Sequence, residues 1–132
     1  MNEQEVYDII ITHLRKQGSK SMLSEDQTEQ LDSYADEGIC AYRGADGKKC
    51  AAGIMIEDFE YSPKMEGINI GSVLGREDCP ASLVERLGTH FHLISDLQFV
   101  HDKSQVANWE REFKRVALQY RLDYTAPNAT DS

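Results

Sequence analysis

The chain has 132 residues and a mass of 15.0 kDa, the size of one ordinary domain. Apolar residues make up 40% of it, mean hydropathy is −0.54, and no apolar run approaches the roughly 20 residues that span a bilayer. Lys and Arg number 14 against 23 Asp and Glu, and the net charge of −9 excludes wrapping of nucleic acid by bulk charge, because phosphates are neutralised by cations.

The opening Met-Asn-Glu-Gln-Glu is acidic and lacks the basic-then-apolar order of an export signal, so a cytoplasmic protein is expected. Val6, Ile9, Ile10, His13, Leu14 and Gln17 recur at spacings of three and four and predict a helix over residues 3–17. Asn2 with Glu5 makes a capping box at its start, and Gly18 is its stop signal. Residues 24–37 differ in kind. Glu25, Asp26, Glu29, Asp32, Asp36 and Glu37 place six carboxylates in fourteen residues without a cation. A short exposed helix or loop follows from that composition, costly unless something outside it supplies positive charge.

Residues 39–43 and 49–52 are short β-compatible runs around Gly44-Ala45-Asp46-Gly47-Lys48, which predicts a hairpin. In that hairpin Cys40 and Tyr42 share one face. Gly53 to Ile56 starts a short helix, and residues 57–75 read as a structured loop with a short strand at 68–70. Asp78 caps the next helix with Pro80 in its first turn. Leu83, Leu87, His90, Phe91, Ile94, Leu97 and Gln98 trace its stripe, broken at Gly88-Thr89. Ser104 caps a last helix with Val106, Trp109, Phe113, Val116, Ala117 and Tyr120 inward, and Glu110 pairs with Lys114 along it. The sum is an α+β domain over residues 1–124, three to four helices packed on a small antiparallel β-hairpin or sheet, with a frayed tail at 125–132.

Cys40, Cys50 and Cys79 are an odd number of thiols in a chain without an export signal, so all three are expected reduced. Cys40 and Cys50 lie outside zinc-knuckle spacing, although a hairpin would let them face each other. His90 and His101 are roughly 16 Å apart on a continuous helix. The reading is therefore no metal site, no cofactor and no catalytic residue. Cys79 stands at a predicted helix N-terminus, where a thiol pKa falls, but no histidine partner is identifiable. His101-Asp102 has the form of adjacent phosphohydrolase ligands, yet four histidines are too few for such a site, and Asp102 is read as a helix end. Tyr42, Arg43, Lys48 and Lys49 form a tight basic cluster and a candidate anion site, without the order of a phosphate loop. Glu57, Asp58, Glu60 and Glu66 add a second acidic patch to the first.

Cys40-Ala41-Tyr42-Arg43-Gly44, Gly47, Cys50-Ala51-Ala52-Gly53, Tyr61 and Glu66-Gly67 form a Cys-x-Tyr-x-Gly-x-x-Gly-x-x-Cys-Ala-x-Gly core with its continuation. That core resembles a family of small uncharacterised proteins of bacteriophages and bacteria, and Leu97-Gln98, His101-Asp102 and Trp109 extend the resemblance. No activity comes with it. It implies a host-takeover or counter-defence protein that occupies a functional surface of a host protein, in the host cytoplasm. Charge adds the means: Glu25, Asp26, Glu29, Asp32, Asp36 and Glu37 would meet a host protein with a basic surface, possessing a groove that normally receives phosphates. The alternative is a sponge for a small anionic metabolite or signalling nucleotide at Tyr42, Arg43, Lys48 and Lys49. A thiol- or metal-dependent enzyme is the third reading. None of the three involves direct contact with nucleic acid or membrane.

Overall fold

The computed structural model describes residues 1–24, 26–27 and 40–126. Five α-helices form among them: α1 (Glu3–Gln17), α2 (Ile70–Leu74), α3 (Ala81–Thr89), α4 (Phe91–Lys103) and α5 (Trp109–Tyr120). None is long and apolar enough to cross a membrane.

Local chemistry sets both ends of α1. The Glu5 N–H donates to Asn2 Oδ1 at 2.9 Å, and the Asn2 N–H donates to Glu5 Oε1 at 3.1 Å, so two orphan donors are satisfied reciprocally. Gly18 takes φ 65° and closes the far end on the Leu14 carbonyl. The buried face is Val6, Tyr7, Ile10, Ile11 and Leu14, turned slightly from the expected stripe, which leaves Ile9 exposed. Tyr7 explains the turn. Its hydroxyl donates to the Phe113 carbonyl at 2.9 Å, fixing α1 against α5. α4 and α5 make the most extensive helix pair, with α1 across α4. Leu93, Ile94, Leu97, Val100, Phe113 and Val116 fill the space between them.

The expected α+β architecture is wrong: among the described residues there is no strand and no sheet. An isolated antiparallel bridge joins Met22 to Cys40. The physical reason lies in where the backbone groups of residues 40–53 go. A hairpin needs them paired with each other. Here the Tyr42 and Arg43 N–H groups donate to the Glu66 carboxylate at 2.9 and 3.0 Å. Lys49 N–H donates to Gln17 Oε1, and Lys49 O faces the Gln17 amide and His13 Nε2. Ala52 N–H donates to Gln98 Oε1 at 2.8 Å. Side chains from distant elements have taken the ladder's partners. The expected turn survives as a 3-10 turn at Ala45–Gly47, with Asp46 at φ 60°. Two glycines let this coil pack tightly: a Cβ on Gly44 would collide with the Met22 carbonyl, and one on Gly53 with the Tyr42 carbonyl.

Other boundaries shift for similar reasons. The strand expected at 68–70 is absent, because Asn69 instead caps α2 by accepting the Ser72 N–H at 2.8 Å. Pro80, not Asp78, stands at the N-cap of α3, and Asp78 is paired with Arg76 at 3.1 Å. The break expected at Gly88-Thr89 falls between α3 and α4, at His90. Ser104 ends α4 rather than capping the last helix, and its carbonyl receives Trp109 Nε1 at 3.3 Å. Val106 lies outside α5, in the 3-10 turn that precedes it. Glu110 reaches Arg15 on α1 and not Lys114. Past α5 the chain doubles back, so that Gln4 and Asp123 exchange two hydrogen bonds and Arg15 holds the Thr125 carbonyl. Residues 127–132 of the expected tail lie outside the described residues.

Candidate functional site

Three places gather chemistry-bearing side chains. The first is where the end of α4 meets the Met22–Cys40 bridge. Cys40 Sγ, a His101 ring nitrogen and an Asp102 carboxylate oxygen lie within 4.8 Å of one another, and Met22 Sδ is 3.8 Å from Cys40 Sγ. Sequence reasoning did not join these residues, because the bridge that brings Cys40 to α4 is tertiary. The set has the composition of a metal site, but both nitrogens of its histidine are committed. His101 is fully buried, and its Nε2 accepts the Ser21 backbone N–H at 2.9 Å. That bond places the ring proton on Nδ1, which donates to Asp102 Oδ1 at 2.8 Å. A cation at Nδ1 would have to displace that proton while Nε2 still faced a donor. Gln98 Nε2 also donates to Asp102 Oδ1, at 2.7 Å. The cluster works as a clasp between α4 and the 21–22 and 40–41 segments. Burial, and then the Asp102 charge, push the Cys40 thiol up to about 12, which keeps it protonated and a poor nucleophile.

The remaining thiols are no more reactive. Cys50 is buried, and its sulfur accepts the Gly53 N–H at 3.3 Å. Burial raises its pKa. Cys79 stands just before α3, where a helix start lowers a thiol pKa; burial instead raises it, with the Asp78 charge adding to the effect.

The second place is the basic cluster. Tyr42 is buried and its hydroxyl donates to the Ile68 carbonyl at 2.5 Å, so its ring is not an open stacking platform. Arg43 is held internally, although its buried Nε has no hydrogen-bond partner among the described residues: one other nitrogen meets Asp58 Oδ1 at 2.7 Å and the Ile56 carbonyl at 3.2 Å, and the guanidinium lies 4.7 Å from the Tyr61 ring centroid. Lys48 and Lys49 are half-buried.

The third place is acidic. Asp26 is exposed, while Glu25, Glu29, Asp32, Asp36 and Glu37 lie outside the described residues. Gln27 donates to the Arg43 carbonyl at 2.7 Å, which places the start of this segment beside the residue that holds Asp58. The second patch divides. Glu57 and Asp58 are exposed, with Phe59 beside them at 78% exposure. Glu60 and Glu66 are buried and belong to the scaffold. Glu60 receives Arg86, the Ser82 hydroxyl at 2.5 Å and the Glu57 N–H at 3.0 Å. Burial raises its pKa, but these donors outweigh burial and hold the carboxyl below its usual range. Glu66 takes the Tyr61 hydroxyl at 2.7 Å besides its two backbone donors. The available signal was a lone carboxylate within Met65-Glu66-Gly67-Ile68, an apolar setting that demands internal donors.

Comparison with protein-family models, with curated proteins and with solved structures finds no match to this chain.

Proposed function

We propose that this chain is a small acidic binding protein that acts by occupying a basic surface of another protein, a host protein in keeping with its resemblance to bacteriophage proteins. The observation that carries the reading is the exposed Glu57-Asp58-Phe59 turn on a chain of net charge −9. Glu57 and the largely exposed Asp58, paired on one side with Arg43, stand beside an open aromatic ring and suit a cationic, partly apolar recess. Glu60 anchors the turn from beneath through Arg86 and Ser82, so the contact is pre-organised. Asp26 and the acidic residues that follow it in sequence extend the same charge. The anion-sponge reading is weakened by Tyr42, whose hydroxyl is bonded within the fold, and by Arg43, which is ion-paired with Asp58.

Immobilised protein should retain a partner from bacterial lysate at low salt and release it as the Debye length falls toward about 3 Å near 1 M. Two variants follow the charge: Glu57→Gln with Asp58→Asn, and Glu25→Gln with Asp26→Asn, Glu29→Gln and Asp32→Asn. Each should slow association with the captured protein and flatten its salt dependence, with little loss of stability. Unchanged association by both variants would rule the mechanism out.

A further inference from the structure

A cleft of about 220 Å³ lies beside the acidic turn, between residues 59–65 and 73–80. Its size decides what it can hold. Sites for drug-sized ligands occupy roughly 300–1,000 Å³, so this one takes a single ring or branched side chain. Met65 and Val73 are buried in its wall, Pro80 continues the apolar lining, and the exposed ring of Phe59 stands along it.

The polar groups of the cleft are unbalanced. Its carboxylates are engaged: Glu60 by Arg86, Ser82 and Glu57, and Asp78 by Arg76. The donors are not. Lys64 forms no hydrogen bond or ion pair through its ammonium group among the described residues, although its charge joins Arg76 in holding the Asp78 carboxyl low. The Ser62 hydroxyl accepts the Lys64 N–H at 3.2 Å and donates to nothing among the described residues. A cleft that is half apolar and holds two unspent donors suits an apolar group that carries its own acceptors. Lys64 makes an anionic acceptor preferable to a neutral one.

The geometry points to this cleft as a binding site for an aromatic or branched apolar group bearing a free carboxylate, with Lys64 and Ser62 as the carboxylate's donors. A small free acid and the C-terminal residue of a peptide share that chemistry. The site adjoins the acidic contact proposed above and shares Phe59 with it, but neither of its two donors is altered in the variants that test that contact.

The full chain, labelled with ¹⁵N, is titrated with N-acetyl-phenylalanine and with the isosteric N-acetyl-phenylalanine amide. The acid should give saturable shifts at residues 59–65 and 73–79. The neutral amide should bind at least ~10-fold more weakly, the scale of one charge-assisted hydrogen bond. Lys64→Gln, at an exposed position, should lower affinity for the acid by a similar factor and leave affinity for the amide unchanged. A tetrapeptide ending in phenylalanine distinguishes the sources: tighter binding than the single residue assigns the site to chain ends, and equal binding assigns it to free acids. Shifts elsewhere, equal affinity for acid and amide, or no saturation by about 20 mM acid would overturn the inference, since such binding is weaker than the ~4 kcal/mol of a millimolar site.

Discussion

A buried carboxylate must be given donors in place of water, and Glu66 is given three. Two are the adjacent backbone N–H groups of Tyr42 and Arg43, and the third is the Tyr61 hydroxyl. One side chain thus holds the 40–43 segment out of a hairpin and ties it to the 61–66 loop. Glu66→Ala would leave these donors without an acceptor, each at a cost of about 1–3 kcal/mol where it stays buried. Unfolding free energy should fall by about 3 kcal/mol in all, read as a lower urea midpoint, with Glu66→Gln between the two because one carbonyl oxygen remains. An unchanged midpoint for the alanine variant would show that the Glu66 contacts do not hold this segment. The same residue shows how far single positions could be read. Sequence marks Glu66 as one more acidic charge; its burial follows from Met65 and Ile70 turning inward on either side.

At the scale of elements, α5 is held by two kinds of contact of unequal weight. Trp109 is almost fully buried, 5.7 Å from the His101 ring and 6.1 Å from Phe113 by ring centroids. Trp109→Ala should cost about 3–5 kcal/mol, read as a large drop in the denaturation midpoint. Electrostatic contacts are weaker. Arg15 grips Glu110 through two bonds of 2.8 and 2.6 Å, and the Tyr124 hydroxyl joins them, but both charged side chains remain partly exposed. Arg15→Ala should therefore cost only about 0.5–1 kcal/mol. Lys114→Ala should change stability by less than about 0.5 kcal/mol, because Lys114 is exposed and the charge expected to hold it faces α1. A double-mutant cycle of Arg15 and Glu110, set against one of Lys114 and Glu110, would check that assignment. The sequence contained the i, i+4 spacing; Arg15, on another helix, supplied the better geometry.

For the whole molecule, acid stability follows from groups whose folded pKa values lie below their unfolded ones; Asp78 is one but is exposed, which leaves His13 and Glu60 as the main contributors. Burial lowers His13, against the opposing effect of its contact with the Lys49 carbonyl. Glu60 is lowered because its hydrogen bonds outweigh burial. In both cases the unfolded chain binds protons first, so each contribution is present above the unfolded pKa and is lost as pH falls through the folded one. Stability should begin to decline below the ordinary His value of 6.5 and decline further below the ordinary Glu value of 4.5. His13→Gln should remove the upper part of that decline, and Glu60→Gln the lower part, in urea denaturation followed across pH. If both variants keep the parent's pH profile, these two groups do not control it.

The helices were legible where their ends are made of neighbouring residues. Asn2, Glu5 and Gly18 bound α1 through contacts spanning four residues or fewer, so the chain alone determined its limits. The apolar spacing of Leu83, Leu87, Ile94 and Leu97 likewise marked the buried side of α3 and α4. The acidic balance and the reactive residue types were also plain in the sequence. The middle of the chain was not. Alternation around Gly44–Gly47 is compatible with a hairpin, and local propensity has no means of registering that Gln17, Glu66 and Gln98 will claim its backbone groups. The same holds for the candidate sites: Cys40 meets Asp102, and Arg43 meets Asp58, through contacts that exist only after the helices have packed. Local hydrogen bonds and hydrophobic spacing determined the helices. Tertiary structure decided the coil and the sites, because a backbone donor goes to whichever acceptor packing brings within reach, and here those acceptors came from elsewhere in the chain.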